Sequence, residues 1–310
     1  MSSRRVYNKF RKNLRRAERT IRFIMRHPIG RRNQLAALGR YLSFHLRHLI
    51  RPGVAHYKWI GNLIVLTDRK SGGMAGNLYV GLADFEEMGF MLHFLRAGDL
   101  FVDIGANVGA YSLLASGMCQ AMTVAVEPVL ATCNRLLEHV RRNGLDSLVE
   151  IHQVGVGSSC EAVFFTADLG LMNHVATDEE ISTERDQLIR VPMTTLDNLI
   201  GGREPTLIKI YVEGYEAQVL QGAAKLLSSR HLYAVIMELQ YGEDLLRTHQ
   251  YLVGKGFLAI RYDPFRREFA LLDGYRRDQF NTLYIRESGL EFVEERARAA
   301  PTVRVFGVEF

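Results

Sequence analysis

Cysteine, tryptophan and proline are scarce in this 310-residue chain: three, one and seven residues. Cys119, Cys133 and Cys160 are widely spaced and form no C-x-x-C pair. That excludes a disulfide scaffold and argues against a structural zinc site. It suits free thiols in a reducing compartment, so a cytoplasmic location is expected. No continuous apolar segment follows the basic N-terminus, and no secretory signal is read. Acid is nearly missing from residues 1–51, which hold fifteen Lys/Arg against Glu18 alone, a net +14; the rest carries 24 bases and 33 acids, a net −9. A strongly basic arm thus precedes a mildly acidic body. The uncharged stretch 104–126 would be long enough to span a bilayer. It is interrupted by Asn107, Ser112, Ser116, Gln120 and Thr123 and punctuated by Gly105, Gly109 and Gly117, so it reads as a buried strand, glycine turn, helix and strand. With 47% hydrophobic and 24% charged residues, the composition is that of a soluble globular chain, not a fibrous or disordered one.

What is present is a regular alternation. Residues 1–27 carry Val6, Phe10, Leu14, Ile21 and Ile24 at near-helical spacing with arginines on the other faces, and Pro28-Ile29-Gly30 ends the run. Residues 33–50 predict a second amphipathic helix, 57–66 a strand and 83–96 a helix. From there strands are expected at 100–104, 122–127, 149–156, 206–212, 232–239 and 257–262, with helices at 109–117, 129–142, 215–229 (broken near Gly222) and 243–254. Weaker strands are expected at 162–166 and 188–193, and 269–272 and 281–286 close the pattern as antiparallel strands. Strands alternating with helices predict an α/β fold, a mainly parallel sheet covered on both faces. The expected divisions are a basic helical arm at 1–52, a small cap at 53–98, the main domain at 99–286 and a C-terminal tail at 287–310.

The chemistry concentrates where Phe101-Val102-Asp103-Ile104-Gly105-Ala106-Asn107-Val108-Gly109 runs an apolar strand into a glycine turn and a helix. Ligands bind beyond the carboxyl ends of parallel strands in such sheets. A dinucleotide site wants G-x-G-x-x-G; here the spacing is G-x-x-x-G. Asp103 precedes the first glycine and would repel a pyrophosphate, but a carboxylate there suits S-adenosylmethionine, which carries a sulfonium and an ammonium. Glu127, about twenty residues on at the end of the next strand, can accept both hydroxyls of a ribose. Asp103, Gly105, Asn107, Gly109 and Glu127 together resemble the cofactor site of class I S-adenosylmethionine-dependent methyltransferases.

The segments 95–116, 124–145, 191–200, 207–223 and 280–285 then look like the FkbM family of methyltransferases, in order and at similar spacing, across roughly residues 79–286. The block Lys209-Ile210-Tyr211-Val212-Glu213-Gly214 with Glu216, Val219, Leu220, Gly222 and Ala223 is the most specific. The resemblance implies a Rossmann-like class I methyltransferase fold with a mixed, doubly wound sheet of seven strands and S-adenosyl-L-methionine as cofactor. It also implies O-methylation of a hydroxyl on a sugar, glycan or natural product. One position departs from it: the family block reads K-I-D-V-E-G, and Tyr211 stands where the Asp would lie beside the transferred methyl. Tyrosine, with a reference pKa near 10, is no general base of comparable strength. Three readings stay open: Tyr211 weakens or abolishes catalysis in a chain that still folds, it is tolerated because Glu213 or another group serves, or it reshapes the acceptor pocket. The resemblance leaves a metal requirement undecided, since the family carboxylate binds a metal in some relatives; no residue is read as a metal ligand, and the missing Asp makes a metal less fitting.

Glu213 and Glu238 join Tyr211 as candidate catalytic residues. Glu213, two positions beyond 211, is expected on the same strand face, or else as a charge favoured at a helix N-terminus. Glu238 ends the strand 232–239 on the active edge, or is a solvated or capping Glu. Tyr111 and Val156 are the further candidate cofactor contacts, with a core tyrosine the alternative for the first. Asp197 fits a helix N-terminus. His45 and His48 share a helical face without a third metal ligand. His174 is expected as a loop residue.

The arm could serve an anionic membrane surface as an interfacial amphipathic helix, dock on the body, or bind nucleic acid. RNA is served less well, because Phe10, Phe23, Tyr41 and Phe44 fall at packing positions and not as stacking platforms. Two rival functions remain beside the small-molecule or glycan methyltransferase: a cofactor-binding but catalytically impaired protein, because of Tyr211, and an RNA methyltransferase using the arm.

Overall fold

The computed structural model describes residues 3–68, 72–167, 173–183, 188–238, 243–276 and 281–310; the side chains of 3–10, 12, 72, 178, 243 and 244, Val6 and Phe10 among them, fall outside the description. In chain order the helices are α1 (Ser3–Arg26), α2 (Gln34–Ile50), α3 (Gly72–Val80), α4 (Phe85–Phe94), α5 (Ala110–Cys119), α6 (Leu130–Arg142), α7 (Asp178–Ser182), α8 (Leu196–Ile200), α9 (Glu216–Gln221), α10 (Glu243–Gly254) and α11 (Leu290–Arg298). The strands are β1 (Ala55–Lys58), β2 (Ile64–Thr67), β3 (Leu100–Ile104), β4 (Met122–Val126), β5 (Val149–His152), β6 (Gly155–Val156), β7 (Val163–Thr166), β8 (Leu188–Val191), β9 (Met193–Thr194), β10 (Leu207–Ile210), β11 (Ala234–Glu238), β12 (Phe257–Asp263), β13 (Glu268–Leu271), β14 (Asn281–Arg286), β15 (Arg304–Val305) and β16 (Val308–Glu309).

The main sheet runs β13-β12-β14-β11-β10-β3-β4-β5. Its β5-β4-β3-β10-β11 half is parallel, and β14, β12 and β13 complete it antiparallel. The sheet therefore has eight strands, not seven. After β12 the chain turns back at once, with Asp263 Oδ1 accepting the Phe265 amide at 2.9 Å and Arg267 taking φ 57. Residues 268–271 then extend the edge. The parallel strands are apolar almost throughout because both faces are covered. Successive residues alternate between two cores: Phe101, Leu207 and Ala234 pack with α4 and α5, while Val102, Ile208 and Val235 pack with α8 to α10.

Several segments differ from the expected elements; α3, for one, forms where none was expected. Residues 57–66 make not one strand but the antiparallel hairpin β1–β2, because the chain turns at Ile60–Leu63 with Gly61 at φ 58. The strand expected at 149–156 leaves the sheet after His152: the Gly155 amide bonds Pro192 O at 2.9 Å, and β6 pairs with β9. Residues 287–310 carry α11 and the β15–β16 hairpin, and bury Val293, Ala297, Val305 and Phe310 in the larger core. The cap is tied to the body by polar side chains. Asn143 exchanges two hydrogen bonds with the Ile64 backbone, at 2.7 and 2.8 Å. Buried His139 bridges the Leu66 amide and the Val108 carbonyl. Burial lowers the pKa of His139, so it is neutral, its Nδ1–H donating to Val108 O and its Nε2 accepting from Leu66 N–H.

Candidate active site

The glycine turn is shaped by residues that could not be exchanged freely. Gly105 has φ 70, and a Cβ there would collide with the carbonyl oxygen of Tyr211. Asn107 sits at φ 51, which Asn tolerates better than most residues, and its Oδ1 accepts the Val108 amide at 2.8 Å. Gly109, at φ 90, opens α5 and packs so closely on Leu136 that a Cβ would clash. The β3–β4 register aligns Ile104 with Val126 and so brings Gly105 beside Glu127. Both Glu127 oxygens are used by the turn: Oε2 accepts Asn107 N–H and Oε1 accepts Val129 N–H, each at 3.0 Å. Burial pushes the Glu127 pKa up to about 7, against the pull of those two amides.

Asp103 lies beneath this turn. It is fully buried, it does not line the cavity, and its Oδ2 accepts the Ser112 hydroxyl at 2.7 Å. The β3–β10 register sets Asp103 against Lys209. Lys209 Nζ stands 3.1 Å from Asp103 Oδ1, an ion pair without aligned hydrogen-bond geometry, and its good hydrogen bond goes to Gly105 O at 2.8 Å. Sequence reasoning gave Lys209 no role; here it stitches two strand ends under the turn.

A cavity of about 290 Å³ opens above. Gly105, Asn107, Tyr111, Glu127 and Val156 line it, as do Lys209, Tyr211 and Glu213; Gly109 does not. Tyr211 follows β10 directly and is 37% exposed. The β10–β11 register aligns Ile210 with Met237, so Tyr211 comes abreast of Glu238. Its hydroxyl stands beside the Glu238 carboxylate. Burial, then the Glu213 charge, pushes Glu238 up to about 8, and the tyrosine pair pulls it back only in part. Burial and the neighbouring carboxylates raise the Tyr211 hydroxyl well above its ordinary value, so it stays neutral. Glu238 sits behind Tyr211 and does not line the cavity. Strand alternation does not orient Glu213, because β10 has ended at Ile210; Glu213 and Gly214 instead take φ 48 and 89. A left-handed non-glycine residue at a strand end is an outlier of the kind that marks functional sites.

The cap supplies a wall that sequence reasoning missed. Gly73, Gly76 and Asn77 of α3 and Asp84 line the cavity. Tyr111 donates to Asp84 Oδ2 at 3.0 Å. Burial raises the pKa of Asp84 and pushes neighbouring Glu87 up to about 8. The sequence signal for Asp84 was masked, because an Asp just before a helix reads as a cap. The far end is closed by Phe165, Asn173, Val175 and Met193 from the β7–β8 and β9 region.

Other singled-out residues serve structure. Asp197 accepts the Lys225 and Leu226 amides at 3.0 Å, and Thr195 caps α8. His48 is buried against the Tyr57 hydroxyl at 3.1 Å. His174 pairs with Glu180 at 3.1 Å and is not among the lining residues. Among the described residues no three His, Cys, Asp or Glu side chains come together as a metal site.

The family profile described as "Methyltransferase FkbM domain" matches residues 103–259. A curated relative, the hexuronic acid methyltransferase AglP of Haloferax volcanii, is 30% identical over 149 residues, which cover 47% of this chain and 58% of that protein. The chain thus spans little more than half the length of that relative. Among solved structures, an rRNA methylase from Streptococcus thermophilus matches with a TM-score of 0.38 at 12% identity, over 64% of this chain and 91% of its own. A transferase from Pyrococcus horikoshii matches with a TM-score of 0.40 at 13% identity, over 75% and 70%. Likenesses so distant add nothing about chemistry. The profile match covers half of the chain and takes in the glycine turn, Glu127 and the Lys209–Gly214 block, and on it the protein belongs to the FkbM family of methyltransferases.

Proposed function

We propose that the protein is an S-adenosylmethionine-dependent O-methyltransferase acting on a hydroxyl of a sugar, glycan or natural product. One observation carries the reading: a single cavity joins the glycine turn and Glu127 to Tyr211 and Glu213, with Glu238 behind the tyrosine. The donor set fits a cationic adenosyl ligand. Its ionisable lining is Asp84, Glu127 and Glu213 with Lys209, and the lysine charge is already balanced by Asp103 beneath. Glu127 and the Asn107 region would hold the ribose, and Val156 the base. The bound cofactor supplies an electrophilic methyl on sulfur; the chain has to position the acceptor and exclude water. Tyr211 can accept the acceptor's O–H while donating its own proton to Glu238, whose pKa near 8 suits a base working close to neutrality. The relay thus offers an answer to the missing Asp. The AglP likeness favours a uronic-acid or related sugar.

Calorimetric titration with S-adenosylhomocysteine tests the cofactor site. Micromolar binding that Glu127→Ala weakens is expected; no binding to folded protein overturns the reading. Methyl transfer from labelled cofactor to a panel of hexuronate glycans tests the acceptor. A second reading, a cofactor-binding protein without activity, is favoured by Tyr211 itself and would be supported by tight binding with no transfer in the parent and transfer in Tyr211→Asp.

We infer further that the arm lies on an anionic membrane surface on the reducing, cytoplasmic side. On α2, Phe44, Ala37 and His48 face the body, while Leu35, Leu42, Leu46, Leu49 and Ile50, 57–86% exposed, form an uncharged stripe on the opposite face. The preceding helix α1 carries exposed arginines, within a segment of net +14. An apolar face with flanking arginines matches an interfacial helix. No described helix is long and apolar enough to cross a membrane. Tyr41 and Phe44 pack against Tyr79, which leaves them poor platforms for RNA bases. Co-sedimentation with phosphatidylglycerol-containing vesicles, lost in Leu46→Glu/Leu49→Glu, is expected. Failure to bind such vesicles, or a stripe-dependent dimer in light scattering, would refute it.

A further inference from the structure

An S-adenosyl ligand ends in an amino acid, and its ammonium needs an anionic partner. The expected one, Asp103, is not available: it is fully buried, absent from the cavity lining and held by Ser112 and Lys209. Glu127 is engaged by the turn amides at the end of β4. Of the other two lining carboxylates, Glu213 belongs to the segment after β10 with Tyr211, and Asp84 is the one that accepts the Tyr111 hydroxyl.

Asp84 is oddly placed for a structural residue. It occupies the N-cap of α4, yet its side chain makes no capping hydrogen bond. Asp is among the best N-cap residues because its oxygen accepts a first-turn amide. Here the carboxylate gives up that bond, lines the cavity and accepts the Tyr111 hydroxyl instead. Tyr111 is itself buried and stands one residue into α5, immediately after the glycine turn. Asn77 shares the wall; its Oδ1 already accepts Ala83 N–H at 2.8 Å, so its NH2 is what it can offer a ligand carboxylate. An anion and an amide donor side by side are what a zwitterionic amino-acid group requires.

We propose that Asp84, held by Tyr111, binds the ammonium of the cofactor's amino-acid moiety, so that the N-terminal cap and not the glycine-turn acid selects the amino-acid end. This rests on the S-adenosylmethionine reading. It adds a residue outside the 103–259 match and gives the cap a function.

The test is a binding cycle read by calorimetry, with no turnover needed. Two ligands, S-adenosylhomocysteine and its des-amino analogue, are titrated into the wild-type chain and into Asp84→Asn. Loss of a charge-assisted hydrogen bond corresponds to roughly tenfold or more in affinity. Wild type should therefore bind the des-amino ligand about tenfold or more weakly, and Asp84→Asn should bind the two alike. 5′-Methylthioadenosine, which lacks the amino-acid group altogether, should bind both proteins equally and reports that the variant's pocket is intact. If Asp84→Asn keeps the wild-type preference for the ammonium, the assignment is wrong while the cofactor site stands. If wild type does not distinguish the two ligands, the assignment fails whether or not the variant folds. If wild type binds none of the three, the cofactor reading itself falls, and the assignment with it.

Discussion

Two pairs of carboxylates at the site, one under the glycine turn and one beside the tyrosines, are held in opposite ways. At the glycine turn, Asp103 and Glu127 are held by the protein's own donors: Ser112, Lys209 and two backbone amides. Away from the turn, Asp84 of the cap and Glu238 behind Tyr211 each stand by a tyrosine hydroxyl, Tyr111 and Tyr211, and burial raises their hold on protons, as it does that of Glu127. The first arrangement fixes backbone geometry. The second leaves acids able to respond to a ligand. A carboxylate's position in a motif therefore does not reveal its task; the donors already spent on it do.

The strongest way to break this contrast is Lys209→Met. It leaves the fully buried Asp103 without its ion-pair partner, a change that costs about 3–5 kcal/mol when one member of a buried pair is removed. Urea denaturation should show that loss, and Asp103→Asn in the same chain should recover part of it. A cost below about 1 kcal/mol, the range of surface pairs, would mean the turn is not built on this pair.

At the tyrosine beside Glu238 the expected effect moves from stability to rate. Tyr211→Phe removes the hydroxyl between the cavity and Glu238. Turnover should fall by roughly 10²-fold or more, the usual scale for a positioned acid or base, while S-adenosylhomocysteine affinity and the urea midpoint stay near wild type. Tyr211→Asp, which restores the family residue, should keep or raise turnover. Equal turnover in wild type and Tyr211→Phe would remove the tyrosine from the chemistry.

pH separates rate from stability as well. A base must be deprotonated, so kcat/KM should climb with pH and level off above about 8, where Glu238 has lost its proton. Stability should run the other way. Glu87 and Glu238, held up near 8 by burial, and Glu127, near 7, bind protons in the folded chain that the unfolded chain has released above about 4.5. Their contribution is complete at low pH and is lost as pH rises from about 5 through 8. Glu87→Gln should flatten that slope in thermal melts across the window; an unchanged slope would assign it to other groups.

How far the sequence could lead follows from these residues. The parallel strands and the glycine turn were legible because buried strands are apolar runs and because left-handed turns favour Gly or Asn. Glu127 was legible by its distance from the turn. The edge strand at 268–271 was legible too, and the count of seven strands came from the resemblance alone; the β1–β2 hairpin and the exit of β6 were not legible, because each depends on a partner distant in the chain: the Asn143 side chain and the Pro192 carbonyl. Lys209 and Glu238 owe their places to register, which a linear reading does not contain. Asp84 was hidden by a local rule that its side chain does not obey.

The finest test sets two neighbours on α5 against each other. Ser112 serves the pair under the turn and Tyr111 the other, so removing each hydroxyl should produce different losses. Ser112→Ala takes a hydrogen bond from the fully buried Asp103, and leaving a charged buried acceptor short costs about 1–3 kcal/mol. It should lower the urea midpoint and leave the preference for an ammonium-bearing ligand intact. Tyr111→Phe takes a hydrogen bond from Asp84, which borders the cavity where a ligand or water can replace it; its stability cost should be the smaller of the two. But the tyrosine hydroxyl is what pulls the Asp84 pKa down against burial, so without it the carboxylate protonates at higher pH. An ammonium binds the ionised acid only. Tyr111→Phe should therefore lose S-adenosylhomocysteine affinity at a higher pH than wild type as the solution is acidified. Should the two variants instead lose stability and ligand preference in the same proportion, the two pairs would be one network, and the division of labour between them would be gone.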